Sequence, residues 1–268
     1  MGRIDTIFQE LRTGNRKALM PFICGGHPKP ECTGDMLLAL QDGGASVVEI
    51  GIPFSDPVAD GPVIAAAMHQ AIKSGVTPDS VLAQVASVRE RLRIGLVAMV
   101  SISILQKLGA QGGPGSVVAR FRDAGIDGFI IPDLPVEEAV AWQDALKAAD
   151  LSCSFLIAPT TTPERAARIA QASTGFIYML ARSGITGERS DMPDISGRVA
   201  ELRQATNLPV AVGFGVSSAA HVRHVVQSAD AAIVGSALVR RLTDTPADQS
   251  PAQVAGDFCR QLSAGLSS

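Results

Sequence analysis

The chain has 268 residues, 46% of them hydrophobic and 18% charged, with a formal net charge of −3. That composition describes a well-buried globular protein and excludes disorder; the mild negative charge offers no general attraction to nucleic acid or anionic membrane, so any phosphate site has to be local. No apolar run approaches the roughly 20 residues of a membrane span, and the N-terminus lacks a basic-then-apolar signal sequence, which points to a cytoplasmic protein.

Ile4, Ile7, Phe8 and Leu11 recur at helical spacing and predict an N-terminal helix, so the match of Met1 to Thr6 to an acylation pattern is read as coincidental. Eight apolar, often β-branched runs follow as predicted strands: Ala18 to Cys24, Ser46 to Ile50, Ile94 to Val100, Gly128 to Ile131, Cys153 to Ala158, Gly175 to Leu180, Pro209 to Val212 and Ala231 to Val234. Thr77-Pro78-Asp79 and Thr162-Pro163-Glu164 each combine an N-cap, a proline at the first helical position and an acid for the helix dipole. Helical stripes lie between the strands: Val81, Leu82, Val85, Val88 and Leu92; Ala139, Trp142 and Leu146; Val222, Val225 and Val226. Gln111-Gly112-Gly113-Pro114-Gly115 reads as a flexible loop. Strands without polar alternation need cover on both faces, and eight units favour closure over a doubly wound sheet, so the expected fold is a (β/α)8 TIM barrel with an extra N-terminal helix. Nothing in the composition divides the chain, which makes residues 1–268 one expected domain.

Cys24, Cys32, Cys153 and Cys259 are scattered without ligand spacing and read as reduced packing residues. His221 and His224 read as solvated helix surface. No metal site is expected.

Two carboxylates follow the second strand. Alternation puts Glu49 on the face opposite Val48 and Ile50, so if those two pack against helices Glu49 points to the other side of the sheet. Burial there disfavours the charged form and gives a group that can both donate and accept a proton near neutral pH. A glutamate held in a structural ion pair is the competing reading. Asp60, in the Gly/Pro-rich loop Gly51 to Pro62, should ionise more easily, and two carboxylates in different environments suit a division of acid and base roles.

The last two strands lead into Gly213-Phe214-Gly215-Val216-Ser217 and Gly235-Ser236-Ala237. Glycine lets backbone amides approach an anion, and Ser236 adds a hydroxyl at the start of a helix, at the barrel end where phosphate is often held. The spacing is not that of a dinucleotide fold, because Ser218 occupies the last glycine position. After the sixth strand, Arg182 to Asp191 has the polar, Gly-containing composition of a mobile lid, and Tyr178, the single tyrosine, stands near that strand's end.

Ala18-Leu19-Met20-Pro21-Phe22, Glu49 through Pro62, Pro132-Asp133-Leu134-Pro135, Ala158-Pro159-Thr160-Thr161, Ser183-Gly184-Ile185-Thr186-Gly187, Val212-Gly213-Phe214-Gly215 and Ile233-Val234-Gly235-Ser236-Ala237 occur in order along the chain. In these segments, and across essentially its full length, the sequence resembles the tryptophan synthase alpha family. The resemblance implies a lyase of tryptophan biosynthesis that cleaves indole-3-glycerol phosphate to indole and glyceraldehyde 3-phosphate without metal or organic cofactor. It implies Glu49 as the general acid/base and Asp60 as acceptor for the indole N–H, oriented by Thr186. Phe22 and Tyr178 would line the cavity, and Gly187, Gly213, Phe214, Gly215, Gly235 and Ser236 would hold the phosphate. It also implies a partner β subunit that carries pyridoxal phosphate, an α2β2 heterotetramer, and a contact surface containing Pro53, Asp56, Pro57 and Asp133. Met99 to Ile104 and Cys24 to Pro28 depart from the family's usual pattern. A sugar-phosphate isomerase or epimerase barrel, and a non-catalytic barrel kept to activate a β subunit, are the alternatives.

Overall fold

The computed structural model describes residues 1–57, 60–181, 193–213, 215–246 and 248–266. Nine strands form one parallel sheet: β1 (Ala18–Cys24), β2 (Val47–Gly51), β3 (Gly95–Met99), β4 (Gly128–Ile130), β5 (Ser152–Ser154), β6 (Leu156–Ile157), β7 (Ile177–Leu180), β8 (Val210–Gly213) and β9 (Ala231–Val234). Their spatial order is β5-β4-β3-β2-β1-β9-β8-β7-β6. Since β5 and β6 are consecutive pieces of the 152–157 segment, the two ends of the sheet meet there and the sheet curls into a barrel. Helices cover its outside, and none of those described is long and apolar enough to cross a membrane.

The expected fifth strand is therefore split. β5 pairs with β4, β6 pairs with β7, and the change of partner falls at Phe155. Side chains take over where the ladder is interrupted: the Cys153 amide donates to Thr174 Oγ1 at 2.8 Å and the Phe155 amide to Ser173 Oγ at 3.3 Å. The same residues delay the next strand, which starts at Ile177 instead of Gly175. The Phe176 amide bonds the Thr174 carbonyl in a tight turn, with Gly175 at φ +78, a conformation that favours glycine.

Alternation along the strands sorts the apolar side chains into two sets. Val48 and Ile50 belong to the larger cluster between barrel and helices, whereas Met20, Val47, Val97, Ala211, Ala231 and Ile233 share a second cluster with Ile4, Phe8 and Leu11 of the N-terminal helix Arg3–Thr13. That helix plugs one end of the barrel, its Phe8 ring 5.8 Å from the Phe176 ring. The opposite end, at the C-terminal ends of the strands, is left for chemistry.

Thr77 and Thr162 cap helices Pro78–Val88 and Pro163–Ala172, accepting from Ser80 N and Arg165 N. The stretch expected as a loop at residues 111–115 instead begins helix Gly113–Asp123, because Pro114 falls in the first turn, where its fixed φ suits the helix and no amide hydrogen is needed. His221 and His224 lie on a helix but are half-buried, with their ring nitrogens engaged: His221 Nδ1 lies 3.3 Å from Ser217 N, and His224 Nε2 donates to the Pro193 carbonyl at 3.2 Å. All four cysteines are free and buried.

At the plugged end, Asp127 and Asp230 do the same job in two units. Asp127 accepts from Arg89 Nη2 at 3.0 Å and from the Leu96 amide at 2.8 Å; Asp230 accepts from Arg203 Nη2 at 3.2 Å and from the Val210 amide at 2.9 Å. Each carboxylate ties the chain entering one strand to the start of its neighbour. Asp127→Ala would orphan the Leu96 amide and leave a largely buried guanidinium uncompensated, so a loss of about 3 kcal/mol is expected in urea unfolding. A loss below about 1 kcal/mol, as for a surface pair, would show that the clamp does not matter.

Candidate active site

A cavity of about 650 Å³ opens at the C-terminal ends of the strands, with Phe22, Glu49, Asp60, Tyr178, Gly215, Gly235 and Ser236 on its wall. Strand register builds it. Phe22 pairs with Glu49 across β1 and β2, Glu49 with Val97 across β2 and β3, and Tyr178 with Ala211 across β7 and β8. Glu49 shares its face with Val47, so it points into the barrel as alternation predicts.

Glu49 is 0% exposed and neither carboxylate oxygen has a hydrogen-bond partner among the described residues. This removes the reading of a structural ion pair, since a glutamate kept for that purpose would have its cation beside it. Burial, reinforced by the charge of Asp60, pushes its pKa well above the ordinary value. Asp60 is half-buried, and desolvation raises it from 3.8 to about 6. The Tyr178 hydroxyl is held neutral, primarily by burial and then by Glu49 and Asp60. These three groups occupy one electrostatic neighbourhood in which a proton is retained.

The anion end lies opposite. Gly235 precedes helix Ser236–Thr243 and its carbonyl accepts from the Leu238 and Val239 amides at 3.0 and 3.1 Å. Amides at the very start of a helix have no intrahelical acceptor, so those at 235–237 are available to an anion facing the cavity. Gly215 has φ +79, which a side chain would strain. Gly213 does not line the cavity; a β-carbon there would sit 2.9 Å from the Tyr178 hydroxyl, so its bare backbone makes room for the phenol. His27, 1% exposed, anchors this helix to the end of β1: its Nε2 donates to Thr243 Oγ1 at 3.0 Å, and burial lowers its pKa to about 4, which keeps it neutral. Arg165 reaches the rim but is engaged by Glu137 at 2.7 and 3.2 Å.

Thr186, Gly187, Phe214 and the whole of the expected lid, Arg182 to Asp191, lie outside the described residues. Of the expected contact residues, Asp56 is exposed, Pro57 half-buried and Pro53 buried. Asp133 is exposed yet occupied, accepting from Ser101 Oγ at 2.6 Å and from the Ile102 amide at 2.8 Å. Among the described residues no three His, Cys, Asp or Glu side chains are grouped as a metal would need. Sequence reasoning did not nominate Ile64, Met99 and Leu156, which also line the cavity. The inward alternation of Val97 and Met99 could have found Met99; Ile64 follows Asp60 into the next helix and carries no comparable signal.

Comparison with known proteins gives a consistent answer. The family model described as tryptophan synthase alpha chain matches residues 8–264. The chain is 43% identical over 265 residues to the tryptophan synthase alpha chain of Prochlorococcus marinus, covering 97% of this chain and 93% of that protein. It is 42% identical over 257 residues to the one from a Synechococcus strain, covering 95% and 94%. The crystal structure of the tryptophan synthase alpha subunit from Legionella pneumophila superposes with a TM-score of 0.90 at 30% identity, covering 99% of this chain and 98% of that one. With a barrel of the same shape and sequence similarity along nearly its whole length, the chain belongs to the tryptophan synthase alpha chain family.

Proposed function

We propose that this chain is a lyase that performs the α reaction of L-tryptophan biosynthesis, retro-aldol cleavage of indole-3-glycerol phosphate to indole and glyceraldehyde 3-phosphate. The observation that carries the proposal is Glu49: a fully buried carboxyl with no partner among the described residues, facing the same cavity as Asp60 and the 235–237 amides. Protonated Glu49 delivers its proton to the indole carbon bearing the side chain. Asp60 accepts a hydrogen bond from the indole N–H and stabilises the positive charge that forms on the ring. The hydroxyl on the adjacent glycerol carbon then loses its proton to the Glu49 carboxylate, that carbon becomes the aldehyde, and the electron pair of the broken carbon–carbon bond neutralises the ring. Glu49 ends as it began, which a single carboxyl of raised pKa can do.

Phe22 and Tyr178 flank the indole, and the amides of Gly215 and Gly235 with Ser236 bind the phosphate; the family resemblance adds Gly187 and Phe214 there, and Thr186 as the group that orients Asp60, whereas Gly213 lies off the cavity wall and makes room for Tyr178. No cofactor is needed in this chain, whose residues supply the proton transfers and the anion site. The proposed partner is a tryptophan synthase β subunit bearing pyridoxal phosphate, in an α2β2 heterotetramer, docked on the surface around Pro53, Asp56, Pro57 and Asp133. One barrel domain, residues 1–268, acts in the cytoplasm. The test is an assay of indole-3-glycerol phosphate cleavage by the chain alone and with a β subunit; absence of indole in both would leave the non-catalytic alternative.

The pH dependence follows from Asp60. Its folded pKa is about 6, so it becomes ionised, and able to take the indole N–H, only as pH rises through that value. Cleavage is expected to fall as pH drops through about 6, while folding stability changes the other way: a raised folded pKa means that stability is lost as pH rises from the ordinary 3.8 to about 6. Asp60→Asn should lower turnover and abolish the acidic limb of the rate profile. Persistence of that limb in Asp60→Asn would assign it to another group.

A further inference from the structure

Met99 is the last residue of β3, paired with Gly51 on one side and Ile130 on the other. Alternation from Val97 turns its side chain to the inside of the barrel, where it is half-buried and lines the 650 Å³ cavity. It also lines a second cavity, of about 40 Å³, whose apolar walls are Ile52, Phe54, Met68 and Val100. Asp60, Pro132 and Asp133 border both spaces, so the two cavities meet at Met99. On the other flank the space above Gly51 is filled: a β-carbon there would lie 2.5 Å from the Phe22 ring. The cavity wall is therefore hard at Phe22 and backed by empty apolar volume at Met99.

Methionine is unbranched, with three rotatable bonds and a polarisable sulfur, and adapts to irregular gaps at small cost. A space of this size accommodates one small group and is apolar enough to take a thioether without loss of hydrogen bonds. We propose that Met99 is a specificity-determining residue: by swinging into the 40 Å³ space it deepens the substrate cavity and admits an aromatic ring with one additional methyl- or halogen-sized substituent. The inference rests on the proposed cleavage reaction for the identity of that ring.

The experiment compares wild type with Met99→Ile and Met99→Phe. Isoleucine keeps the volume and suits a strand but is stiff at χ1; phenylalanine is larger and rigid. For each protein, kcat/KM is measured for unsubstituted indole-3-glycerol phosphate and for a series with one methyl on each benzo-ring carbon. Kd is measured in parallel for the same rings carried on indole-3-propanol phosphate, which lacks the hydroxyls that cleavage requires. Wild type should discriminate against at least one methylated ring by less than about threefold, and both variants should raise that discrimination by about tenfold, the low end of what one methylene commands in an unyielding pocket. If Met99→Phe does not fold, Met99→Ile decides alone.

Discrimination that stays within about twofold of wild type in the folded variants, or exceeds about tenfold in wild type at every ring position, overturns the inference. Failure of wild type to cleave the unsubstituted substrate overturns the proposed reaction instead, and the Kd ratios still decide the role of Met99. Failure of wild type to bind any of these rings overturns both.

Discussion

Glu49→Gln is expected to fold, bind indole-3-propanol phosphate and lose about 10²- to 10⁴-fold of cleavage, the range a positioned acid/base supplies. Glutamine fills nearly the same space but can neither give a proton to the ring carbon nor take one from the glycerol hydroxyl. Stability provides a second readout. Glu49 is buried, both its oxygens lack a partner among the described residues, and its pKa is raised well above the ordinary 4.5. The folded state therefore holds a proton that the unfolded chain has released, and stability falls as pH rises from about 4.5 towards the folded pKa. Removing the ionisable group removes that loss. By that linkage Glu49→Gln should match or exceed the wild-type melting temperature at about pH 7 to 8, with the advantage shrinking below about pH 4.5. Near-normal turnover in a folded Glu49→Gln protein would overturn the acid/base role; a marked drop in its melting temperature would mean that Glu49 has a structural partner after all.

Glu49 was legible in the sequence for a simple reason. A period of two, anchored by Val48 and Ile50 on the helix side, leaves Glu49 and Val47 facing inward, and the structure puts each on the expected face. The N-terminal helix was legible from the helical spacing of Ile4, Ile7, Phe8 and Leu11, while its place as a plug in the barrel came only with the structure. What local pattern could not disclose is a change of partner. Cys153 to Ala158 has the composition of one strand, but its two halves pair with different neighbours, and the side chains of Ser173 and Thr174, some twenty residues away, substitute for the missing ladder bonds. The start of helix Gly113–Asp123 was hidden because glycine disfavours helix in isolation and the role of Pro114 depends on the residues after it. Histidines 221 and 224 lie on a helix as expected, yet their polar atoms reach Ser217 and Pro193, contacts set by how loops return to the barrel.

The same distinction applies to the cavity. Phe22, Glu49 and Tyr178 are strand residues, so periodicity and position along the strand place them. Met99 obeys the same parity, but its significance comes from the empty apolar space behind it, which arises from the packing of Ile52, Phe54, Met68 and Val100 and has no signature in any one segment.

The anion end gives the second large expected effect. Ser236→Asp should weaken binding of glycerol phosphate by at least about tenfold, because it sets a carboxylate against a phosphate at a helix start, where the two negative charges compete for the same amides. Residue 236 is in the first turn of the helix, where the dipole favours a carboxylate, so folding is not expected to suffer and the unliganded variant should be as stable as wild type or more so. Ser236→Ala separates the two contributions of the position. It deletes only a hydroxyl, leaving the amides at 235–237 in place, and should cost about one hydrogen bond, or roughly 3- to 10-fold in Kd. Calorimetric titration of wild type and both variants with glycerol phosphate, at fixed low salt, reads the comparison directly. A Kd for Ser236→Asp within about twofold of wild type would put the phosphate elsewhere on the barrel, whereas equal losses in both variants would mean that the hydroxyl, and not the helix start, dominates recognition.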